Sequence, residues 1–322
     1  MSTISDVAKE AGVGVGTVSR VLNGGKSVNE NTRRLVEEAI AKLSYTPNSS
    51  AKRLRQNRSG VIALMIPVLD HPFFSKFAEA AEQAADGRGY STLLVVSQQH
   101  VEKEKRIIER IKRKEVDGAI FVTHYEHDRA DFRGCPLVSI DRHLDGDIPC
   151  VTSDNGQATK KSIEYLIAKG CKRIGYIGTK PLVDSEILLR EKVYREVIEA
   201  HGMEARVVNE VAIHGEEGAL VEKFFKTYGD VDGIFAAGYT VARLAAEHAR
   251  AIGRRVPDDV QIVSYDMGYP SWDSSAALTC VEQPIEEMAR AAVGILIDKI
   301  DGKPTAPRTV LESRFVIGNS TR

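Results

Sequence analysis

Residues 3–24, TISDVAKEAGVGVGTVSRVLNG, spell two short helices around a tight turn. Thr3 followed three residues later by Asp6 is the pattern of a capping box, in which each side chain bonds the other residue's backbone N–H. Val7, Ala8 and Ala11 supply one apolar face until Gly12 breaks the helix. A second helix is expected from about Val15 to Leu22, with Val18, Val21 and Leu22 facing inward and Asn23-Gly24-Gly25 ending it. This is a helix-turn-helix pattern. A third amphipathic stretch, Asn29 to Ser44, puts Leu35, Val36, Ala39, Ile40 and Leu43 on one face before Pro47 closes it, so the three helices can bury one another.

In such a unit the second helix enters the DNA major groove by its N-terminal residues, and an arginine fork matches guanine O6 and N7. Arg20 is therefore the base-reading candidate, Val15 can touch a thymine methyl, and Thr17 and Ser19 can hold phosphate oxygens. Gly16 reads nothing with a side chain and costs its helix about 1 kcal/mol relative to Ala. Residues 47–58, PNSSAKRLRQNR, follow as a basic segment with Asn48 or Ser49 as a candidate cap and Lys52, Arg53, Arg55 and Arg58 as its charges. Alone it is too short and too charged to hold a helix, and it reads equally as a solvated linker. Against DNA it can order, with Leu54 wedged between base steps of the minor groove. Thr3, Asn23, Asn48, Lys52 and Arg55 complete the expected DNA-facing set.

Charge supports the division. Residues 1–60 carry ten Lys/Arg against five Asp/Glu, while the rest of the chain carries thirty-four against forty, and the whole is at −1. A basic first sixth on an acidic body suits one small segment that meets a polyanion. At 322 residues the chain is long enough for about two domains. Its longest apolar run, Val61 to Leu69, spans nine residues and contains Pro67, far short of the roughly 18 that cross a bilayer. The N-terminal residues carry Asp6 and Glu10 rather than the basic-then-apolar pattern of a secretory signal, so a cytoplasmic protein is expected. Cys135, Cys150, Cys171 and Cys280 never form a C-x-x-C pair and read as reduced thiols rather than metal ligands.

From Gly60 onward, short apolar runs alternate with helical patterns: VIALMIPV, TLLVVSQ, GAIFVT, PLVSID, VTSDN, RIGYIG, VVNEVAI, GIFAAG, QIVSYD and LTCVEQ. That alternation predicts parallel sheets covered by helices on both faces. EVDGAIFVT at 115–123 echoes DVDGIFAAG at 230–238, which predicts two such sheets in a duplicated body. A ligand would sit between them, at the carboxyl ends of the strands. The residues just after the strands are His71, Phe73 and Phe74; Asp141 and Arg142; Tyr239; and Asp266. Carboxylates and an Arg beside aromatic rings suit a polyhydroxylated ligand, although each residue alone also reads as a cap, a surface pair or a core ring.

Enzymatic alternatives find little support. GVGVG at 12–16 lacks the G-x-G-x-x-G spacing and lies between two helices rather than after a strand; YIGTKP at 176–181 lacks the Walker glycines; neither G-x-S-x-G nor H-E-x-x-H occurs. No catalytic residue, metal or cofactor is expected. A sugar-binding protein or enzyme on the same two-lobed fold is the alternative.

The stretches TISDVAKEAGVGVGTVSRVLNG and VNENTRRLVEEAIAKLSYTPNSSAKRL resemble the headpiece of the lactose-repressor/galactose-repressor family of bacterial transcription regulators. VPDDVQIVSYD with LTCVEQP extends the resemblance to the C-terminal body, which is similar to periplasmic sugar-binding proteins. The resemblance implies a small all-α helix-turn-helix headpiece at 1–46, a hinge helix at 47–59, and an α/β body at 60–322 of two doubly wound parallel-sheet lobes. Lobe 1 would comprise about 60–158 and part of 287–322, and lobe 2 about 159–286. It implies base-reading positions at Val15, Gly16 and Arg20, with Leu54 as the hinge wedge and Ala51 beside it. Effector contacts would come from Phe73, Asp141, Arg190 in LLREKVYREV, and Asp266. The implied protein is a homodimer on a pseudo-palindromic double-stranded operator, most simply a repressor of sugar-utilisation genes controlled by a sugar or sugar phosphate. The chain departs from the family pattern at Gly14 and Gly16, and at Gly238-Tyr239, where many members have Asn-Asp. DRHLDGDIPCVTSDN, residues 141–155, resembles the sucrose and fructoside branch.

Overall fold

The computed structural model describes residues 2–22, 28–45, 58–98, 100–122, 129–144, 147–212, 215–267 and 278–322. It separates into two compact units, one ending at Ser59 and one beginning at Gly60.

The first unit contains α1 (Ile4–Glu10), α2 (Val15–Leu22) and α3 (Glu30–Lys42). The capping box forms: Thr3 Oγ1 accepts from the Asp6 N–H at 3.3 Å and Asp6 Oδ2 accepts from the Thr3 N–H at 2.8 Å. Asn29 caps α3 by accepting from the Thr32 N–H at 2.8 Å. Val7, Val18 and Val36, one from each helix, are fully buried at the centre of this unit. Leu35 corrects the sequence reading. It is 43% exposed, because the inner stripe of α3 runs through Val36, Ala39, Ile40 and Leu43, and its neighbour lies off that stripe.

The second unit holds two six-stranded sheets. The first is built from β1 (Val61–Ile66), β2 (Ser91–Val96), β3 (Gly118–Phe121), β4 (Leu137–Ile140), β5 (Cys150–Ser153) and β11 (Arg308–Leu311). Their order is β11-β5-β4-β3-β1-β2, all parallel. Helices α4 (Pro72–Asp86), α5 (Val101–Lys112), the short α6 (Arg129–Phe132) and α11 (Ile285–Ile300) belong to this lobe. The second sheet contains β6 (Ile174–Thr179), β7 (Arg206–Glu210), β8 (Gly233–Ala236), β9 (Gln261–Tyr265), β10 (Thr279–Glu282) and β12 (Arg314–Val316), in the order β12-β10-β9-β8-β6-β7. Only β12 runs antiparallel to its neighbour. Helices α7 (Asn155–Ala168), α8 (Leu188–Ala200), α9 (Glu217–Thr227) and α10 (Tyr239–Ala251) complete this lobe.

The echo in the sequence is a topological repeat: β3 and β8 occupy the same place in the two sheets. Their opening glycines have a packing reason. A Cβ on Gly118 would lie 2.7 Å from the Pro136 carbonyl oxygen, and one on Gly233 would lie 3.0 Å from Cys171. The chain crosses between lobes three times, after β5, after β10 and between β11 and β12. Both Asp141, directly after β4, and Asp266, directly after β9, adopt left-handed backbone (φ 56° and 72°). Non-glycine residues rarely hold that conformation, and its cost of about 1–3 kcal/mol is tolerated mainly where a side chain must be aimed. All four cysteines are buried and free, and no described helix is long and apolar enough to cross a membrane.

Candidate ligand-binding cleft

A cavity of about 320 Å³ opens between the carboxyl ends of the two sheets. Of the eight residues singled out from the sequence, His71, Phe73, Phe74, Asp141, Arg142, Arg190 and Asp266 line it. Tyr239 does not. It opens α10 half-buried, while Gly238 and Thr240 on either side supply the lining, so the ring proposed in place of an Asn-Asp pair is not in the wall.

His71 is the cap of α4: its Nδ1 accepts from the Phe73 N–H at 3.3 Å, which assigns its proton to Nε2 when the ring is neutral. Its ring lies 4.9 Å from Phe74, which is half-buried at the cavity. Phe73 is buried and stacks on Phe77 at 5.9 Å, so it serves the lobe's core as well as the wall.

The ionic groups are joined by a buried polar network whose hydrogen-bond directions follow from its guanidinium end. Arg190 donates from Nε to Asn155 Oδ1 at 2.6 Å and from Nη1 to the Ala237 carbonyl at 2.8 Å, with its guanidinium 3.4 Å over the Tyr265 ring. Because a guanidinium only donates, the Asn155 oxygen must face it, and the Asn155 amide nitrogen must face Thr152 Oγ1 at 3.1 Å. Thr152 therefore accepts from Asn155, and the shorter of its two donor contacts is to ionised Asp141 Oδ1 at 2.5 Å, against 3.1 Å to the Ser153 carbonyl. The second half is equally determined: Gln283 donates to Asp266 Oδ1 at 2.5 Å, so its oxygen accepts from Ser153 Oγ at 2.7 Å, and Ser153 in turn accepts from the Tyr265 hydroxyl at 3.0 Å. Asp141 Oδ2 and Asp266 Oδ2 take no hydrogen bond from the described residues.

Burial pushes the Asp141 carboxyl above the ordinary carboxylate range, against the pull of Arg190, the Thr152 hydroxyl and Arg142. Burial also pushes Tyr265 up to about 12, so it remains a donor, and lowers Arg142 to about 10, which leaves it charged near neutrality. Arg142 is committed to the junction of the lobes. It donates to Ser185 Oγ, and its backbone bridges that of Ser185 across the cleft.

Sequence reasoning missed Thr152, Ser153, Asn155 and Gln283. They lie in the VTSDN and VEQP stretches at the first two crossovers; only Gln283 lines the cavity, and which polar side chains join the network behind its wall depends on strand register.

In the first unit, Val15 and Gly16 in the first turn of α2 and Arg20 in its last turn are exposed, and Thr17 and Ser19 are half-buried. Arg20 folds back along its helix, with Nε donating to the Gly16 carbonyl at 3.2 Å. Thr3 serves its cap. Asn23, Asn48, Ala51, Lys52, Leu54 and Arg55 lie outside the described residues.

A helix-turn-helix unit followed by a two-lobed body with a polar cleft defines a ligand-responsive DNA-binding regulator. Residues 3–48 match the bacterial regulatory proteins of the lacI family, and residues 163–321 match the periplasmic binding protein-like domain. The chain is 36% identical to the ribose operon repressor of Halalkalibacterium halodurans, over 100% of this chain and 98% of the relative. It is 29% identical to the sucrose operon repressor of Streptococcus mutans, over 99% of each, so the more similar of these two is the one named for ribose. A transcriptional regulator CelR–cellobiose complex superposes with a TM-score of 0.73 at 30% identity, covering 99% of this chain and 100% of that one. The chain belongs to the lacI family of bacterial transcription regulators.

Proposed function

We propose that this protein is a cytoplasmic, non-enzymatic repressor of sugar-utilisation genes whose hold on its operator is set by a sugar in the cleft. The observation that carries the effector reading is the pair of carboxylates, Asp141 and Asp266, held in the same left-handed turn on opposite walls of one cavity. Each has an oxygen that takes no hydrogen bond from the described residues and can accept from a hydroxyl, and Arg190 has further N–H donors. The relatives named for ribose and sucrose operons, and the cellobiose complex, support a sugar.

The cavity's charges favour an uncharged sugar over a sugar phosphate. Among the described residues, Asp141, Asp266 and Glu217 are matched there by Arg142, Arg190 and Lys180, so a phosphate would meet no surplus of Arg and Lys over carboxylates from them. His71, Phe73 and Phe74 form the apolar side of the site. Residues 1–46 read the operator through Val15, Gly16, Thr17, Ser19 and Arg20, with Thr3 and Asn23 at its edges. Residues 47–59 form the hinge, and 60–322 bind the sugar and join two copies, so that protein two-fold symmetry mirrors a pseudo-palindrome. A sugar with unequal affinity for two lobe arrangements shifts their balance and with it the hinge segments.

The DNA half of the reading is tested in the hinge. Leu54→Ala is expected to weaken specific operator binding and reduce DNA bending while leaving non-specific affinity near its original level. Lys52→Ala is expected instead to lower the salt slope of binding by about one unit, as loss of one phosphate contact does. Gel-shift titrations over a salt series measure both, and unchanged specific affinity in Leu54→Ala contradicts the wedge.

A further inference from the structure

Asn155 is the first residue of α7, immediately after the chain leaves lobe 1, and only 1% of it is exposed. Its one side chain touches the supports of two ligand-facing ions on different lobes. The oxygen holds Arg190 of α8 at 2.6 Å, and the nitrogen holds Thr152 of β5, the hydroxyl that Asp141 accepts. The same nitrogen reaches the Ser153 carbonyl at 3.1 Å. Thr152 has a competing acceptor in that carbonyl, also at 3.1 Å, and the Asn155 N–H groups occupy both oxygens in a way that leaves Asp141 as the best destination for the Thr152 proton.

We propose that Asn155 is a positioning residue of the effector site: as an amide, and only as an amide, it joins Arg190 on one lobe to Asp141 on the other and fixes the direction of the Thr152 hydroxyl between them. This rests on the reading of the cleft as the effector site. Neither an acid nor an alkyl group can replace it. In Asn155→Asp, one carboxylate oxygen still accepts from Arg190, but the other is an acceptor facing Thr152 and the Ser153 carbonyl. It takes the Thr152 proton away from Asp141 and divides the Arg190 charge between two anions. Asp141 is faced by Arg142 from its own turn, Thr152 and Cys150 from β5, Arg190 from α8 and Asp266 from the turn after β9. Losing the hydroxyl and part of the arginine therefore leaves burial and Asp266 to favour its neutral form.

The test uses full-length protein as wild type, Asn155→Asp, Thr152→Val and the double variant. Two readouts apply: calorimetric titration with D-ribose, sucrose and cellobiose, and the pH titration of the Asp141 carboxyl carbon by NMR, assigned through Asp141→Asn. Thr152→Val removes the same hydroxyl without adding charge, so it decides the question if the acid variant folds poorly. Whichever sugar binds wild type is expected to bind each single variant about tenfold more weakly, with the double variant losing less than the product of the two. The Asp141 signal is expected to titrate at higher pH in both singles. Sugar affinity within twofold of wild type in Asn155→Asp, multiplicative losses in the double, or an unmoved Asp141 titration overturns the proposal. If none of the three sugars binds wild type, the choice of these sugars as effectors fails, and the Asp141 titration still decides the role of Asn155.

Discussion

Arg190→Ala is expected to weaken sugar binding by about a hundredfold or more, the upper range for losing hydrogen bonds from a buried charged donor. Arg190 is 3% exposed, and its truncation also strips the Asn155 oxygen, the Ala237 carbonyl and the Tyr265 ring face of their partner. Folding stability should fall by about 2–3 kcal/mol, because two buried acceptors are left without the charged donor that satisfied them. Arg190→Lys should recover little binding. A single ammonium cannot donate along the Nε and Nη1 directions and stack flat on an aromatic ring together. Calorimetry and thermal unfolding measure the two losses, and near-wild-type affinity in Arg190→Ala would place the ligand elsewhere.

Asp141→Asn is expected to move stability and function in opposite directions. Burial raises the folded-state pKa of Asp141 above its ordinary 3.8, so ionising it costs more in the folded chain than in the unfolded one. Stability carried by the protonated form is fully present below the ordinary value and is lost as pH rises through the raised value. The neutral variant escapes that loss while its amide oxygen can still accept from Thr152. Its thermal midpoint should therefore exceed that of wild type at neutral pH, and the gap should close as the solution is acidified toward pH 3.8 and below. Sugar binding should nevertheless fall about tenfold or more, because an amide is a weaker acceptor for a sugar hydroxyl than a carboxylate. A wild type more stable than Asp141→Asn at neutral pH contradicts this account of the carboxylate.

These two residues were readable from the sequence for different reasons. Asp141 stands directly after an apolar strand, where a carboxylate is exposed to a cleft whatever the details of packing. Arg190 sits inside an ordinary-looking helical run, and only the family resemblance marks it. All ten apolar runs became strands, because each was flanked by turn residues and alternated with a helical pattern. The two final strands, RTVL and RFV, were not anticipated. Each is three or four residues long, half-exposed and opened by an arginine, with no apolar run to announce it. The Thr152–Asn155–Arg190 and Ser153–Gln283–Asp266 links were invisible for a further reason. Their long legs, Asn155–Arg190 and Ser153–Gln283, join residues 35 and 130 positions apart only after two sheets have set their registers. Tyr239 fell to the same limit, since its position after a strand was correct and its side chain's direction was not legible.

The central claim is that a sugar gripped by Asp141, Arg190 and Asp266 controls binding of DNA by the headpiece. The most direct measurement is selection of sequences from a random duplex pool by the full-length protein, with and without each of a panel of sugars, run in parallel on Asp266→Ala. The expected result is one pseudo-palindromic sequence whose retention by wild type is abolished or required by a single sugar, while Asp266→Ala retains DNA regardless of that sugar. Recovery of no motif, or a sugar effect of the same size in Asp266→Ala, would contradict it.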